Sequence, residues 1–104
     1  MMGIGVNAQH PDEGEFHGKL EDAACASWCT SGGRLTPLMI KVCGSDGEIR
    51  RIDNIHVITA EKKYYCGIPA WEYECSAAPD GRELRFRLYY YPETCMWKIE
   101  YRTD

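Results

Sequence analysis

Six cysteines are the residues of this sequence with the widest chemical scope: Cys25, Cys29, Cys43, Cys66, Cys75 and Cys95. An even number of cysteines in a small secreted chain would indicate three disulfides. The first residues lack the charged start and the apolar stretch of about 7–15 residues that a secretory signal needs. We therefore expect reduced thiols. Cys75 follows Trp71 and Tyr73 at every second position, where a thiol acts as a small hydrophobic side chain.

Four side chains near the start of the chain have the donor types of a metal site. Cys25 and Cys29 are separated by three residues, and His10 and His17 precede them. Together they could supply two sulfur and two nitrogen ligands to zinc, although strong zinc sites carry paired C-x2-C knuckles, which this chain lacks. We expect unstructured thiols here, with no metal and no cofactor. A small cysteine-based metal-binding protein or enzyme is the alternative.

Catalysis by a cysteine needs a base and a group that orients it. In the folded region only His56, combined with Cys66 or Cys43, offers such a pair, and His56 alternates outward between Ile55 and Val57. The motifs of a nucleophile elbow, a phosphate-binding loop and a zinc-protease helix are absent from the sequence. We therefore predict a non-catalytic protein, with no catalytic residues.

Cations and aromatic rings share the outward face of two adjacent predicted strands. The set consists of Arg85, Arg87, Tyr89, Tyr91, Lys98 and Arg102. Small β-barrels bind single-stranded nucleic acid with such a mixture, because cations contact phosphates and rings stack on bases. The opposing interpretation is a solvated sheet face on which cross-strand Arg–Glu pairs neutralise the charge.

Three consecutive tyrosines, Tyr89, Tyr90 and Tyr91, favour a role in protein recognition. Adjacent residues of a strand point to opposite faces, so at least one ring is exposed, which is typical of protein interfaces. SH3-like barrels bind peptides in aromatic grooves or add a strand to a sheet edge. We predict a protein partner, with single-stranded nucleic acid as the alternative.

The composition limits the classes of protein to which the chain can belong. It has 104 residues, 44% of them hydrophobic, and a formal net charge of −4. This length accommodates one domain. The negative charge argues against a binder driven by bulk positive charge. The apolar runs are far shorter than the ~20 residues of a membrane span, so we expect no membrane association.

Residues 1–37 differ from the rest of the chain. They are rich in glycine and acidic side chains, and no apolar periodicity extends beyond one turn. This composition predicts a flexible N-terminal tail. Three alanines within residues 20–29 favour a short helix there. The regular pattern begins beside Met39, so a second interpretation is that translation starts at that residue.

Residues 38–104 have the alternation of short β-strands. Leu38, Ile40 and Val42 alternate with Met39 and Lys41, and later segments repeat the pattern. Turn sequences occur at 44–47, 79–81 and 92–94, and residues 61–69 suggest a loop. We predict a mainly β domain: a single antiparallel meander of five or six short strands, strongly bent or closed as a small SH3-like barrel. A flatter meander covered by a helix from residues 20–30 is the alternative.

Large apolar side chains on the inward positions indicate where the core lies. They are Trp71, Phe86, Leu88, Trp97 and Ile99. An aromatic side chain can bury about 150–250 Å², which compensates for the small size of the domain.

Several segments resemble short uncharacterised proteins of clostridia-like bacteria. The segments are Gly67-Ile68, Tyr73-Glu74-Cys75, the Gly-Arg-Glu-Leu of residues 81–84, Leu88-Tyr89-Tyr90 and Trp97-Lys98-Ile99-Glu100. The resemblance covers about residues 39–102. It implies a small β fold and a bacterial cytoplasmic setting, and it implies no reaction.

Overall fold

The computed structural model describes residues 11–16 and 18–102, and the regular elements in that part of the chain are seven β-strands. They are β1 (Glu21–Cys29), β2 (Leu35–Cys43), β3 (Ile49–Ile52), β4 (His56–Tyr65), β5 (Ile68–Ala77), β6 (Leu84–Tyr91) and β7 (Met96–Tyr101). Neighbouring strands are antiparallel, in the order β3-β2-β1-β7-β6-β5-β4. The predicted mainly β, antiparallel fold is confirmed. The prediction of five or six strands in a single meander was wrong, because there are seven strands and the pairing of β1 with β7 joins two meanders.

An interior strand, β1, replaces the short helix that the sequence suggested over residues 20–29. Its residues Glu21–Ala23 pair with β7, and Ala24–Cys29 pair with β2. The alanines do favour a helix, but an isolated helix shorter than about 12 residues is unstable in water. As a strand, this segment instead forms backbone hydrogen bonds with β7 and β2, and these stabilise the extended conformation. The folded domain therefore includes residues 21–37, which the sequence assigned to a tail.

The position of β1 also bears on a start of translation at Met39. A chain beginning there would lack β1 and the first part of β2. The edges of β2 and β7 would then lose their shared neighbour, and the sheet would divide at its middle. Residues 1–10 and 17 of the predicted tail lie outside the described residues.

A tight hairpin stands where the sequence suggested a loop over residues 61–69. β4 continues to Tyr65 and β5 begins at Ile68. Between them, Cys66 and Gly67 have φ angles of 51° and 81°, the left-handed pair typical of a two-residue type I′ turn. Pro69 is tolerated because its Cα partner is Tyr64, one pair beyond the turn, where antiparallel strands exchange no hydrogen bond.

The sheet is strongly bent, because its two edge strands follow each other in sequence. From Ile52, the end of β3, to His56, the start of β4, the chain can reach about 14 Å at most. In a flat sheet, six strand spacings would separate these edges by about 29 Å. The Ile55 amide donates a hydrogen bond to the Leu38 carbonyl oxygen at 3.3 Å, which brings the start of β4 against β2. The sheet is nevertheless open, since the described residues of β3 and β4 form no ladder with each other.

The concave face of the bent sheet encloses the core. Its buried residues are Ile40, Val42, Ile52, Tyr73, Cys75, Ala77, Phe86, Leu88, Trp97 and Ile99. Four of the five core residues predicted from the sequence are in this cluster, and Trp71 packs against its margin. The Tyr73 hydroxyl donates to the Leu35 carbonyl oxygen at 2.8 Å and so ties β5 to β2 across the core. Burial raises the pKa of Tyr73 to about 12.

Within the described residues, no helix is long and apolar enough to cross a lipid bilayer.

Candidate binding face

The convex side of strands β4–β7, here called the outer face, carries all the predicted binding residues. Arg85, Arg87, Tyr89 and Tyr91 lie on β6, Lys98 lies on β7, and Arg102 directly follows β7. They alternate with core residues along each strand, as the period of two requires. The register sets Arg87 opposite both Glu74 and Glu100. The six residues therefore share one surface, which also contains carboxylates.

Glu74 is the centre of a charge network on the outer face. Arg87 contacts it with Nε at 2.9 Å from Oε2, and Arg102 binds the other carboxylate oxygen through Nη1. Arg87 Nη1 also lies 3.8 Å from Glu100 Oε1. Hydrogen bonding to Glu74 raises the pKa of Arg87. These two arginines are thus neutralised by the face on which they lie.

The other two predicted cations differ in their surroundings. Lys98 forms an ion pair with Asp22, which the interior strand β1 brings alongside β7. Arg85 is exposed and lies opposite Ser76. Three of the four cations are therefore paired with carboxylates, so a phosphate backbone would have to compete with them.

Tyr89 is covered, although it lies on the outer face. Only 1% of its surface is exposed, and its hydroxyl donates to Glu100 Oε1 at 3.1 Å. Phe16 packs edge-on against it with ring centroids 5.2 Å apart, and Tyr65 completes the cluster at 6.2 Å. Burial, together with the charge of nearby carboxylates, raises the pKa of Tyr89. Sequence reasoning missed Phe16, an aromatic residue in an otherwise polar, glycine-rich segment.

Residues 12–16, here called the strap, reach the outer face from the β4–β5 turn. Asp12 accepts hydrogen bonds from the backbone amides of Cys66 at 3.1 Å and Gly67 at 2.6 Å. The Glu13 amide donates to the Tyr64 carbonyl oxygen at 2.6 Å. The strap ends at Phe16, whose ring lies against Tyr65 and Tyr89. It therefore holds the domain at one turn, one strand edge and one aromatic cluster.

Gly18 lets the chain leave the strap close to the sheet. A Cβ atom at this position would lie 1.9 Å from Glu100 Oε2 and 2.7 Å from Phe16 Cε1. Real Cβ atoms do not approach other atoms so closely, and the Glu100 carboxylate is already held by Arg87 and Tyr89. A larger residue at position 18 would therefore push the strap away from the outer face.

An exposed apolar patch adjoins the aromatic cluster. It consists of Ile68, Tyr91 and Met96, and it lines a concavity of about 390 Å³ with Lys98 and Glu93 at its rim. Ile68 is 47% exposed and Met96 is 44% exposed. Tyr91 lies two residues after Tyr89 on the same strand, so the patch continues the surface on which Phe16 packs.

Glu72 joins the aromatic cluster to a cation on β4. Lys63 Nζ lies 3.0 Å from Glu72 Oε2, and the Tyr65 hydroxyl donates to Glu72 Oε1 at 3.1 Å. Burial by itself raises the pKa of Glu72, but the Lys63 ammonium and the hydrogen bonds to the carboxylate outweigh it, and the pKa is lowered. The charged form of Glu72 is thus favoured in the folded state.

We expect Glu72 to make the protein less stable in acid. Because its pKa is lowered on folding, its contribution is complete above the ordinary value of 4.5 and is lost as the pH falls through the lower folded value. Urea unfolding between pH 6 and pH 3 should show a decrease in the free energy of unfolding that is smaller in Glu72→Gln. Glu61 is an exposed acid on β4, so Glu61→Gln should show the same decrease as the wild type. A decrease in Glu61→Gln as small as that in Glu72→Gln would contradict the assignment.

All six cysteines are free thiols, and Cys66 lies far from His56. Burial raises the pKa of Cys25 and of Cys75 to about 12, so neither is a thiolate at neutral pH. His56 and Cys66 stand at opposite ends of β4, about 30 Å apart in an extended strand, too far for proton transfer.

Cys25 and Cys29 lie on one extended strand, about 13 Å apart along the chain. The described residues contain no group of three or more His, Cys, Asp or Glu side chains arranged to hold a metal ion. His10 and His17, the other two candidate ligands, lie outside the described residues.

Comparison with known proteins found no match: no protein-family model, no curated protein and no solved structure matches the chain.

Proposed function

We propose that this chain is a non-catalytic binding module that recognises a protein partner through the apolar patch of its outer face. The observation that carries the proposal is the exposure of Ile68 and Met96 beside Tyr91 in a concavity of about 390 Å³. Contiguous exposed apolar surface rimmed by polar residues is typical of protein interaction sites, and Tyr and Met are enriched there. The partner inserts an aliphatic or aromatic side chain between these residues.

Single-stranded nucleic acid, the alternative, has weaker support. Arg87, Lys98 and Arg102 are paired with carboxylates, and Tyr89 is covered by Phe16. Binding to single strands relies on accessible cations and on rings that bases can stack on. Of the six residues predicted to bind, Arg85 and Tyr91 retain part of those properties.

We infer that the module works in the bacterial cytoplasm. Unpaired thiols are typical of a reducing compartment, and all six cysteines are unpaired. The resemblance to proteins of clostridia-like bacteria supports the same setting.

The test compares three forms of the immobilised full-length chain: wild type, Met96→Asp and Ile49→Asp. Ile49 is 63% exposed on the edge strand β3, so its variant is a matched control for an exposed apolar residue replaced by a charge. A protein recovered from cell extract is identified, purified and titrated against each form. We expect Met96→Asp to weaken its binding at least ten-fold and Ile49→Asp to leave it unchanged.

Two results would contradict the proposal. One is a partner whose affinity is the same for all three forms. The other is salt-dependent binding of oligodeoxythymidine that is lost in Arg85→Glu and kept in Met96→Asp. This outcome would favour the nucleic-acid alternative, and Arg85 is the appropriate cation to replace because Arg87 is held by Glu74 and Glu100.

A further inference from the structure

We propose that the strap occupies a peptide-recognition site, and that the partner's ligand segment is an acidic, extended peptide with a carboxylate residue followed four positions later by an aromatic residue. This inference rests on the proposed function and names the chemistry of the ligand. Asp12 and Phe16, which have this spacing, show what the site accepts.

The carboxylate end of the site is formed by the β4–β5 turn. The amides of Cys66 and Gly67 donate separately to the two oxygens of the Asp12 carboxylate. Successive backbone amides in a turn form a concavity that binds anions. A third amide, that of Gly14, donates to the same carboxylate from within the strap at 2.6 Å. A ligand with an Asp-x-Gly start would reproduce all three hydrogen bonds.

The edge of β4 supplies the backbone contact. β4 is the last strand of the sheet, and the Tyr64 carbonyl oxygen accepts the Glu13 amide on its outer side. Addition of an extended segment to an exposed sheet edge is a common mode of peptide recognition, in which main-chain hydrogen bonds provide affinity. The strap uses this edge at its first residues only, next to the turn.

The aromatic end of the site lies between Tyr65 and Tyr89. The Phe16 ring meets both in edge-to-face geometry, at 5.3 Å from Tyr65 and 5.2 Å from Tyr89. Aromatic pairs of this kind contribute beyond their buried area. Since Tyr91 follows on the same face, a ligand longer than the strap would continue from this position onto the apolar patch.

The strap competes with such a ligand because both need the same groups. A tethered segment has an effective concentration in the millimolar range, so it lowers the apparent affinity of a peptide added in solution. The chain that connects the strap to β1 contains Gly18, where any side chain would collide with Glu100 and Phe16. Substitution at this residue therefore releases the strap without replacing any of the residues that contact Asp12 or Phe16 in the site.

The experiment measures anisotropy of a fluorescent peptide with the sequence of residues 11–19. It is titrated with the full-length wild type, with the double variant Asp12→Ala, Phe16→Ala, and with Gly18→Val. The control peptide carries the same two alanine substitutions. We expect both variants to bind the native peptide at least ten-fold more tightly than the wild type does, and none of the three chains to bind the control peptide.

Amide hydrogen exchange at Cys66 and Gly67 reports whether the strap has left. Faster exchange in both variants, with protection restored by the native peptide, would support the proposal. Fast exchange without peptide binding, or unchanged exchange, would overturn it. A wild-type dimer that forms by exchange of straps between two copies, without peptide binding by the variants, would also overturn it. If the strap proposal is wrong, Met96→Asp can still weaken binding of the purified partner. The peptide experiment and the partner titration therefore test the strap and the apolar patch separately.

Discussion

Replacing Trp97 by alanine is expected to lower the free energy of unfolding by about 3–5 kcal/mol. Trp97 is 8% exposed, and its ring lies 5.6 Å from that of Tyr73 and 4.9 Å from that of Tyr90. The substitution would leave a cavity between β5, β6 and β7 that rigid neighbouring strands cannot fill. A domain of this size has a total stability of about 5–15 kcal/mol, so a large part of the variant would be unfolded near body temperature.

Trp28→Ala is the matched control for this substitution. Trp28 is 64% exposed near the end of β1, and its loss should change stability by no more than about 0.5 kcal/mol. Unfolding in urea should be followed by circular dichroism, because both variants alter tryptophan fluorescence. Equal stability of the two variants would show that Trp97 is not part of the core.

Glu74→Ala should produce the second largest effect, a loss of about 1–2 kcal/mol. The carboxylate binds both Arg87 and Arg102, and all three side chains are only partly exposed. Its removal leaves two guanidinium groups without their main acceptor, although Arg87 keeps Glu100 at 3.8 Å. Most surface ion pairs contribute less, and a carboxylate shared by two arginines in a partly dry environment is the exception.

The pair between Arg51 and Asp53 provides the comparison. Its Nε–Oδ1 distance of 2.7 Å is shorter than that of Arg87 to Glu74, but both side chains are about half exposed. We expect Asp53→Ala to cost about 0–0.5 kcal/mol by urea unfolding, because water replaces the lost contact. If both variants lose the same amount, burial is not what strengthens the Glu74 network.

The sequence was informative wherever local pattern determines structure. The alternation of Phe86 and Leu88 with Arg87 and Tyr89 identifies both faces of β6, since each strand residue points opposite to its neighbours. Turn sequences identify the hairpins because they require particular φ angles. The turn at Cys66 and Gly67 was not predicted, because cysteine in the left-handed region is uncommon and the nearby Pro69 suggested a loop.

Contacts between distant segments could not be inferred in the same way. β1 consists of residues with helix propensity, and it forms a strand only because β2 and β7 flank it. The pairing of Lys98 with Asp22 spans 76 residues and depends on that arrangement. Burial of Tyr89 depends on Phe16 in the strap, so alternation alone suggested an exposed ring. The sequence therefore predicted the residues of the candidate site but not the strap that covers them.

The pairing of β1 with β7 has a consequence for synthesis on the ribosome. These neighbours at the middle of the sheet are the first and the last strands to be made. Until residues 97–99 have emerged, the growing chain can form only two separate meanders, each with an unpaired inner edge of the kind prone to aggregation. The two meanders can therefore join through β1 and β7 only after residues 97–99 have been made.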